Sequence, residues 1–231
     1  MKYLLLWLEG PLQSWGSGSR FDFRTTESFP TMSGIAGMLL SSSGDSGAQC
    51  ELLQKMKNSV FIAVEFRKQT DVSPQLCDYH MVGNGYDESK TWESYQILRK
   101  RNREVGGNKQ TYRYYLQDKK FAVLLGLEDD LAEKFSASLQ APVFDLYLGR
   151  KCCVPTDFIF RGCFVSREEA KAEMLKVAEE KGLTPGRCFV PAASDEMVDD
   201  AFSICDVPLE FGENKRYGSR YARIMAFDPS I

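Results

Sequence analysis

One histidine, His80, is all that these 231 residues contain. No HExxH, GxSxG, P-loop or GxGxxG motif occurs, and candidate metal ligands nowhere cluster. Seven cysteines, at 50, 77, 152, 153, 163, 188 and 205, form no CxxC, and an odd number completes no disulfide framework. Zinc and structural disulfides are thereby set aside, and reduced thiols are the simple reading. Missing too is any run near the roughly 20 apolar residues that span a bilayer. The apolar start, residues 1–8, is too short for a signal peptide, and Glu9-Gly10-Pro11 ends it without a small-residue cleavage site. A cytoplasmic protein with no membrane partner, no metal and no cofactor is the expectation. Basic excess is absent as well: 29 Lys and Arg face 32 Asp and Glu, for a net charge of −3. Attraction of the whole chain to nucleic acid is excluded, so any such role rests on local patches.

What is present begins with two similar segments. Leu8-Glu9-Gly10-Pro11-Leu12-Gln13-Ser14-Trp15-Gly16 and Tyr147-Leu148-Gly149-Arg150-Lys151-Cys152-Cys153 each pass from an apolar run through a glycine turn into polar or basic residues. Glycine there lets backbone approach a ligand and bare its N–H groups. Arg150 and Lys151 add charge beside those donors. Two such turns in one domain suit an anionic backbone, and RNA is the best candidate.

The hydropathy pattern predicts an α+β chain. Residues 2–8 read as a buried strand. Pro30-Thr31 opens a helix, with Thr31 or Ser33 as N-cap and Ile35, Ala36, Leu39 and Leu40 on its apolar face. Gly34 and Gly37 cost that helix about 1 kcal/mol each against alanine, which implies close packing or close approach of a ligand. Strands follow at 60–67, 119–125 and 144–148, with a helix carrying Leu131, Phe135 and Leu139 between the last two. This βαββαβ order is that of a ferredoxin-like domain. Between its middle strands lies an insertion, residues 68–116, far longer than the two to five residues of a plain hairpin turn. The strand character of QTYRYYL at 110–116 predicts a long projecting hairpin. After Cys153, Ser166 and Glu169 form a capping box for a helix ending at Gly182, and strands follow at 187–191, 204–211 and 221–227. The expected division is a first domain over 1–153, thumb-like arm included, and a smaller β-rich subdomain over 154–231.

Charge is segregated along the chain. Between Ile97 and Lys120 stand eight basic residues, Arg99, Lys100, Arg101, Arg103, Lys109, Arg113, Lys119 and Lys120, against Glu104 and Asp118. Tyr112, Tyr114 and Tyr115 lie among them. Arginine for phosphate and tyrosine for bases suit single-stranded nucleic acid; a charged hairpin docking on an acidic protein is the other reading. Lys215, Arg216, Arg220 and Arg223 form a second patch without acidic residues, equally suited to RNA, a partner or solvent. Acidic clusters at 128–130 and 195–200 offset both. His80, in Asp78-Tyr79-His80-Met81, is the one candidate for general acid–base cleavage of RNA, with a tyrosine or lysine as its complement. Stacking on a base or facing a partner are its other roles.

These residues carry a family resemblance. The two glycine segments, together with residues 29–39 (FPTMSGIAGML) and Asp78-Tyr79-His80, resemble the CasD-type subunits of type I-E CRISPR Cascade complexes, in the same order and at similar spacing over most of the first 165 residues. The resemblance implies a RAMP-superfamily fold: a ferredoxin-like (RRM-like) domain with a long β-hairpin thumb and a small C-terminal β-rich subdomain. It implies a non-catalytic subunit that caps the complex's backbone and holds the hooked 5′ handle of the guide RNA (crRNA). The implied partners are that handle, a CasC-like backbone subunit, a CasA-like large subunit that recognises the PAM, and target DNA indirectly through the complex. Carried over by position, Gln13, Ser14, Trp15 and Gly16 line the handle pocket. Thr31 and Ser33 offer hydroxyls and a helix N-terminus to phosphate. Gly149, Arg150 and Lys151 grip the RNA backbone, and Arg113, His80 and Arg24 join from the arm and its surroundings. No residue is assigned to catalysis. The alternative, an endoribonuclease that cuts precursor guide RNA without metal as type I-C relatives do, would use His80.

Overall fold

The computed structural model describes residues 1–19, 22–57, 59–68, 75–82, 109–192 and 201–229. Arg99, Lys100, Arg101, Arg103 and the acidic stretch at 195–200 lie outside them. In chain order the strands are β1 (Lys2–Glu9), β2 (Leu12–Gln13), β3 (Phe23–Arg24), β4 (Val60–Arg67), β5 (Gln75–Val82), β6 (Lys109–Gln117), β7 (Lys120–Leu127), β8 (Phe160–Phe164), β9 (Thr184–Pro191), β10 (Ala201–Glu210) and β11 (Arg216–Ala226). The helices are α1 (Met32–Ser43), α2 (Cys50–Met56), α3 (Asp129–Gln140) and α4 (Arg167–Glu180).

Seven strands form one sheet in the order β10-β11-β9-β4-β7-β1-β8. Its β4-β7-β1-β8 part, crossed by α1 and α3, is the ferredoxin-like core. The fourth strand of that core is β8, not the expected segment 144–148. Residues 144–148 form a loop whose backbone bonds go to other loops and to a helix end. Phe144 N–H donates to Ser41 O, and Leu148 N–H donates to Cys153 O while Leu148 O accepts from Ser14 N–H. Phe144 is exposed, and Leu148 enters the core from this loop rather than from a strand. The C-terminal strands extend the sheet, β9 pairing with β4. A boundary after residue 153 would therefore separate β8 from the sheet it completes.

Both faces of the sheet are covered, which explains the unbroken apolar run of β1. Leu4, Leu6 and Leu8 pack on one face with Ile35 and Leu39 of α1 and Phe135 of α3. Leu5 and Trp7 face the other way, with Met174 and Val177 of α4. Each such fully buried side chain contributes about 1.5–3 kcal/mol. In RRM-type domains the face opposite the two core helices is the one that stacks RNA bases. Here α4 fills it, so that face is closed to stacking of this kind.

Helix α1 begins where the sequence places it: Thr31 is the N-cap and accepts from Gly34 N–H at 3.3 Å. It ends at Gly44, in the left-handed conformation at φ 74°. Gly34 sits under the Trp15 ring, where a β-carbon would lie 2.8 Å from Cε3, whereas one on Gly37 would meet nothing within 4 Å. Within the insertion, β5 and β6 pair antiparallel from Gln75↔Leu116 to Val82↔Lys109. On the other edge of β6, β2 pairs antiparallel (Gln13↔Leu116) and β3 parallel (Arg24↔Arg113).

Candidate nucleic-acid groove

The two glycine segments meet. Ser14 N–H donates to Leu148 O at 3.0 Å, and Gly149 adopts φ 95° with its α-carbon pressed against Ser14. A β-carbon on Gly149 would lie 1.8 Å from Ser14 O. Only glycine fits, both by conformation and by space. Beside this crossing is a cavity of about 310 Å³, lined by Ser14, Trp15, Gly16, Arg24, Thr31, Ser33, Gly149 and Arg150 among others. A larger cleft of about 740 Å³ adjoins it along α1, shares Ser33, Gly34 and Gly149, and is lined further out by Lys151 and Lys215. Nine of the twelve expected site residues thus line one continuous groove.

Arg150 is the most informative of them. Its Nη2 donates to Arg24 O at 2.8 Å, and its guanidinium lies 4.8 Å from the centre of the Tyr115 ring. Its Nη1 is buried and has no hydrogen-bond partner. Tyr115 is buried, which pushes its phenol up, as does its hydrogen bond with Cys152; Arg150 opposes both. The ring therefore stays neutral under the guanidinium. Burial, and then neighbouring Cys152, pushes the Cys153 thiol up to about 12, so it is no nucleophile at neutral pH.

Three expected residues sit differently. Gln13 is fully buried and holds the floor of the site rather than lining it. Its Nε2 donates to Leu8 O at 3.1 Å and Lys119 O at 2.7 Å, and its Oε1 accepts from Trp15 Nε1 at 3.0 Å. Its hydrogen-bonding capacity is largely spent inside the protein. Arg113 and His80 belong to the hairpin and line neither cavity. The strand register sets Arg113 beside both Arg24 and Asp78, and the His80 ring contacts the Asp78 carboxylate.

The N-terminus of α1 is already occupied by a side chain that sequence reasoning missed. Asp206, fully buried on β10, accepts from Met32 N–H at 2.8 Å. Arg220 of β11 grips the same carboxylate through Nε at 2.7 Å and Nη2 at 2.9 Å. The expected anion site at the helix start is thus filled by a carboxylate of the protein itself. Ser33 lines both cavities, and its hydroxyl donates to Thr31 Oγ1 at 3.4 Å. A lone aspartate in an apolar strand is the only local signal for Asp206, and the helix start that it caps lies 174 residues away.

Residues 3–223 match the family described as CRISPR-associated protein (Cas_Cas5). The chain belongs to the Cas5 family. It is 30% identical over 179 residues to the CRISPR system Cascade subunit CasD of Escherichia coli (strain K12), covering 74% of this chain and 75% of that one. The fold agrees with a chain of a solved CRISPR RNA-guided surveillance complex, at TM-score 0.73 and 24% identity over 97% of this chain and 89% of that one. A second solved structure, described as a Cas protein, superposes at TM-score 0.61 with 24% identity, over 99% of this chain and 96% of that one. The Cas5 match spans the glycine crossing, the hairpin and nearly all of the C-terminal strands. Among the described residues no helix is long and apolar enough to cross a membrane, and no three His, Cys, Asp or Glu side chains cluster as metal ligands would.

Proposed function

We propose that this Cas5 protein is a non-catalytic, RNA-binding subunit of a type I-E Cascade complex, and that its groove holds the 5′ handle of the guide RNA. The observation that carries the reading is the crossing of the two glycine segments, with the unpaired Nη1 of Arg150 buried beside it. A buried charged donor without a partner is costly, and a phosphate oxygen would satisfy it. Arg24, Lys151 and Lys215 continue the positive rim along the two adjoining cavities, as suits the backbone of a single strand. The likeness to CasD supports the assignment to Cascade.

The hairpin suits contact with a CasC-like backbone subunit and the guide. Phe23 stacks on Tyr112 at 5.0 Å with rings 8° from parallel, and Tyr79 lies 5.2 Å from Tyr112, giving an exposed aromatic ladder among basic residues. A CasA-like large subunit docks alongside. Target DNA is met through base pairing with the guide, and this subunit reads the shape of the handle. His80 is engaged with Asp78 on the hairpin and lines neither cavity, which favours binding over cleavage.

The test incubates the full chain, without metal, with a labelled precursor guide RNA carrying one repeat. A mobility shift without cleavage is expected, unchanged in His80→Ala. Cleavage at one position, lost in His80→Ala, would instead make this a processing endoribonuclease.

A further inference from the structure

The small cavity needs an open aromatic face if a base is to be held there, and Trp15 cannot supply one. Trp15 is 0% exposed, and its Nε1 is committed to Gln13. The other aromatic ring lining that cavity is Tyr217, which is 40% exposed and stands at the start of β11. We infer that the β10–β11 turn forms the second wall of the groove and that Tyr217 is the platform on which one splayed base of the bound RNA stacks. This inference rests on the reading of the groove as an RNA site.

The platform is held from behind. Phe211 meets Tyr217 edge-to-face, with ring centres 6.4 Å apart and planes at 67°. The turn itself is docked on the loop after α1. Phe211 N–H donates to Ala48 O at 3.0 Å, and Gly212, at φ 80°, packs so closely that a β-carbon would lie 3.3 Å from the Gly47 carbonyl carbon. At the other end, Arg220 ties β11 to the buried Asp206 and so to the start of α1. A rigid ring costs little entropy on binding, and stacking accepts any base. Lys215, two residues away, lines the adjoining cleft with Lys151, where the backbone of the same strand would run. Partial burial pushes the Tyr217 phenol up, so it carries no charge against phosphate.

Fluorescence anisotropy of the full chain with handle RNA, and with a series bearing one abasic nucleotide each, tests this. Tyr217→Ala should weaken intact handle binding about 5- to 100-fold, as loss of one stacked base does. Tyr217→Phe should bind as the wild type does. One abasic position should weaken the wild type and cost Tyr217→Ala nothing further. The inference is overturned if Tyr217→Ala binds the intact handle normally while Arg150→Ala does not, an outcome that leaves the handle reading intact. It is overturned too if Tyr217→Ala loses affinity yet pays the full extra penalty at every abasic position, since the ring would then be structural. Absence of any handle binding by the wild type would instead defeat the reading on which it rests.

Discussion

The carbonyl oxygen of Ser14 lies where a side chain on Gly149 would have to begin, 1.8 Å from its β-carbon position. One contact therefore fixes how the two glycine segments cross. Gly149→Ala should cost about 2 kcal/mol or more, since it combines a strained φ with a backbone clash. At roughly 2–4 °C per kcal/mol for a chain of this size, thermal unfolding would show the loss. An unchanged Tm would mean the segments do not cross this way.

Gly34 and Gly37 make a paired test on one helix. Gly34→Ala drives a methyl into the Trp15 ring and should destabilise by about 1–3 kcal/mol. Gly37→Ala meets nothing and should stabilise by about 0.5–1 kcal/mol through helix propensity. Denaturant midpoints of the two variants should move in opposite directions.

Asp206 joins β10, β11 and the first turn of α1 with one carboxylate. Removing it strands the largely buried Arg220 guanidinium and the Met32 N–H. Asp206→Ala should cost about 3–5 kcal/mol, as breaking a buried pair does. Double substitution with Arg220→Met should recover part of that loss in urea unfolding. No recovery would mean that the guanidinium is not the stranded charge.

Glu65, buried on β4, accepts from Lys119 at 2.6 Å and from Arg187 at 2.8 Å. Burial pushes its carboxyl up, but the hydrogen bonds from Arg187 and Lys119 together outweigh it and hold the group below its ordinary value. A depressed folded value means the carboxylate stabilises fully above the unfolded value, about 4.3. That contribution disappears as the pH falls through the folded value. The stability gap between wild type and Glu65→Gln should be constant near neutrality and close in more acid solution. A gap independent of pH would show that the charge contributes nothing.

Most of the framework was readable because it is local. The apolar runs of β1, β4 and β7, the apolar faces of α1 and α3, and the Ser166 cap of α4 need no distant partner to be recognised. The fourth core strand was misplaced for a physical reason. Residues 144–148 alternate like a strand, yet their backbone is spent on loops, while β8 reads FRGCF, with a charge and a glycine in the middle of an edge strand. The groove was legible as two glycine turns, but not the residues that complete it from far along the chain. Asp206 accepts from Met32, 174 residues away, and Tyr217 lines the small cavity from β11, and no spacing rule announces either. Tyr217 did lie in the second basic patch, which was the one clue.

The central claim is that the glycine crossing and its basic rim hold the handle of the guide RNA. Its most direct test is the affinity of the full chain for guide RNA with an intact or a scrambled 5′ handle, in wild type and in Arg150→Ala with Lys151→Ala. The account predicts that the wild type prefers the intact handle, and that the double variant keeps its circular dichroism spectrum but loses about 10-fold or more of that affinity. Equal affinity for both RNAs, or a double variant that still prefers the intact handle as strongly, would contradict it.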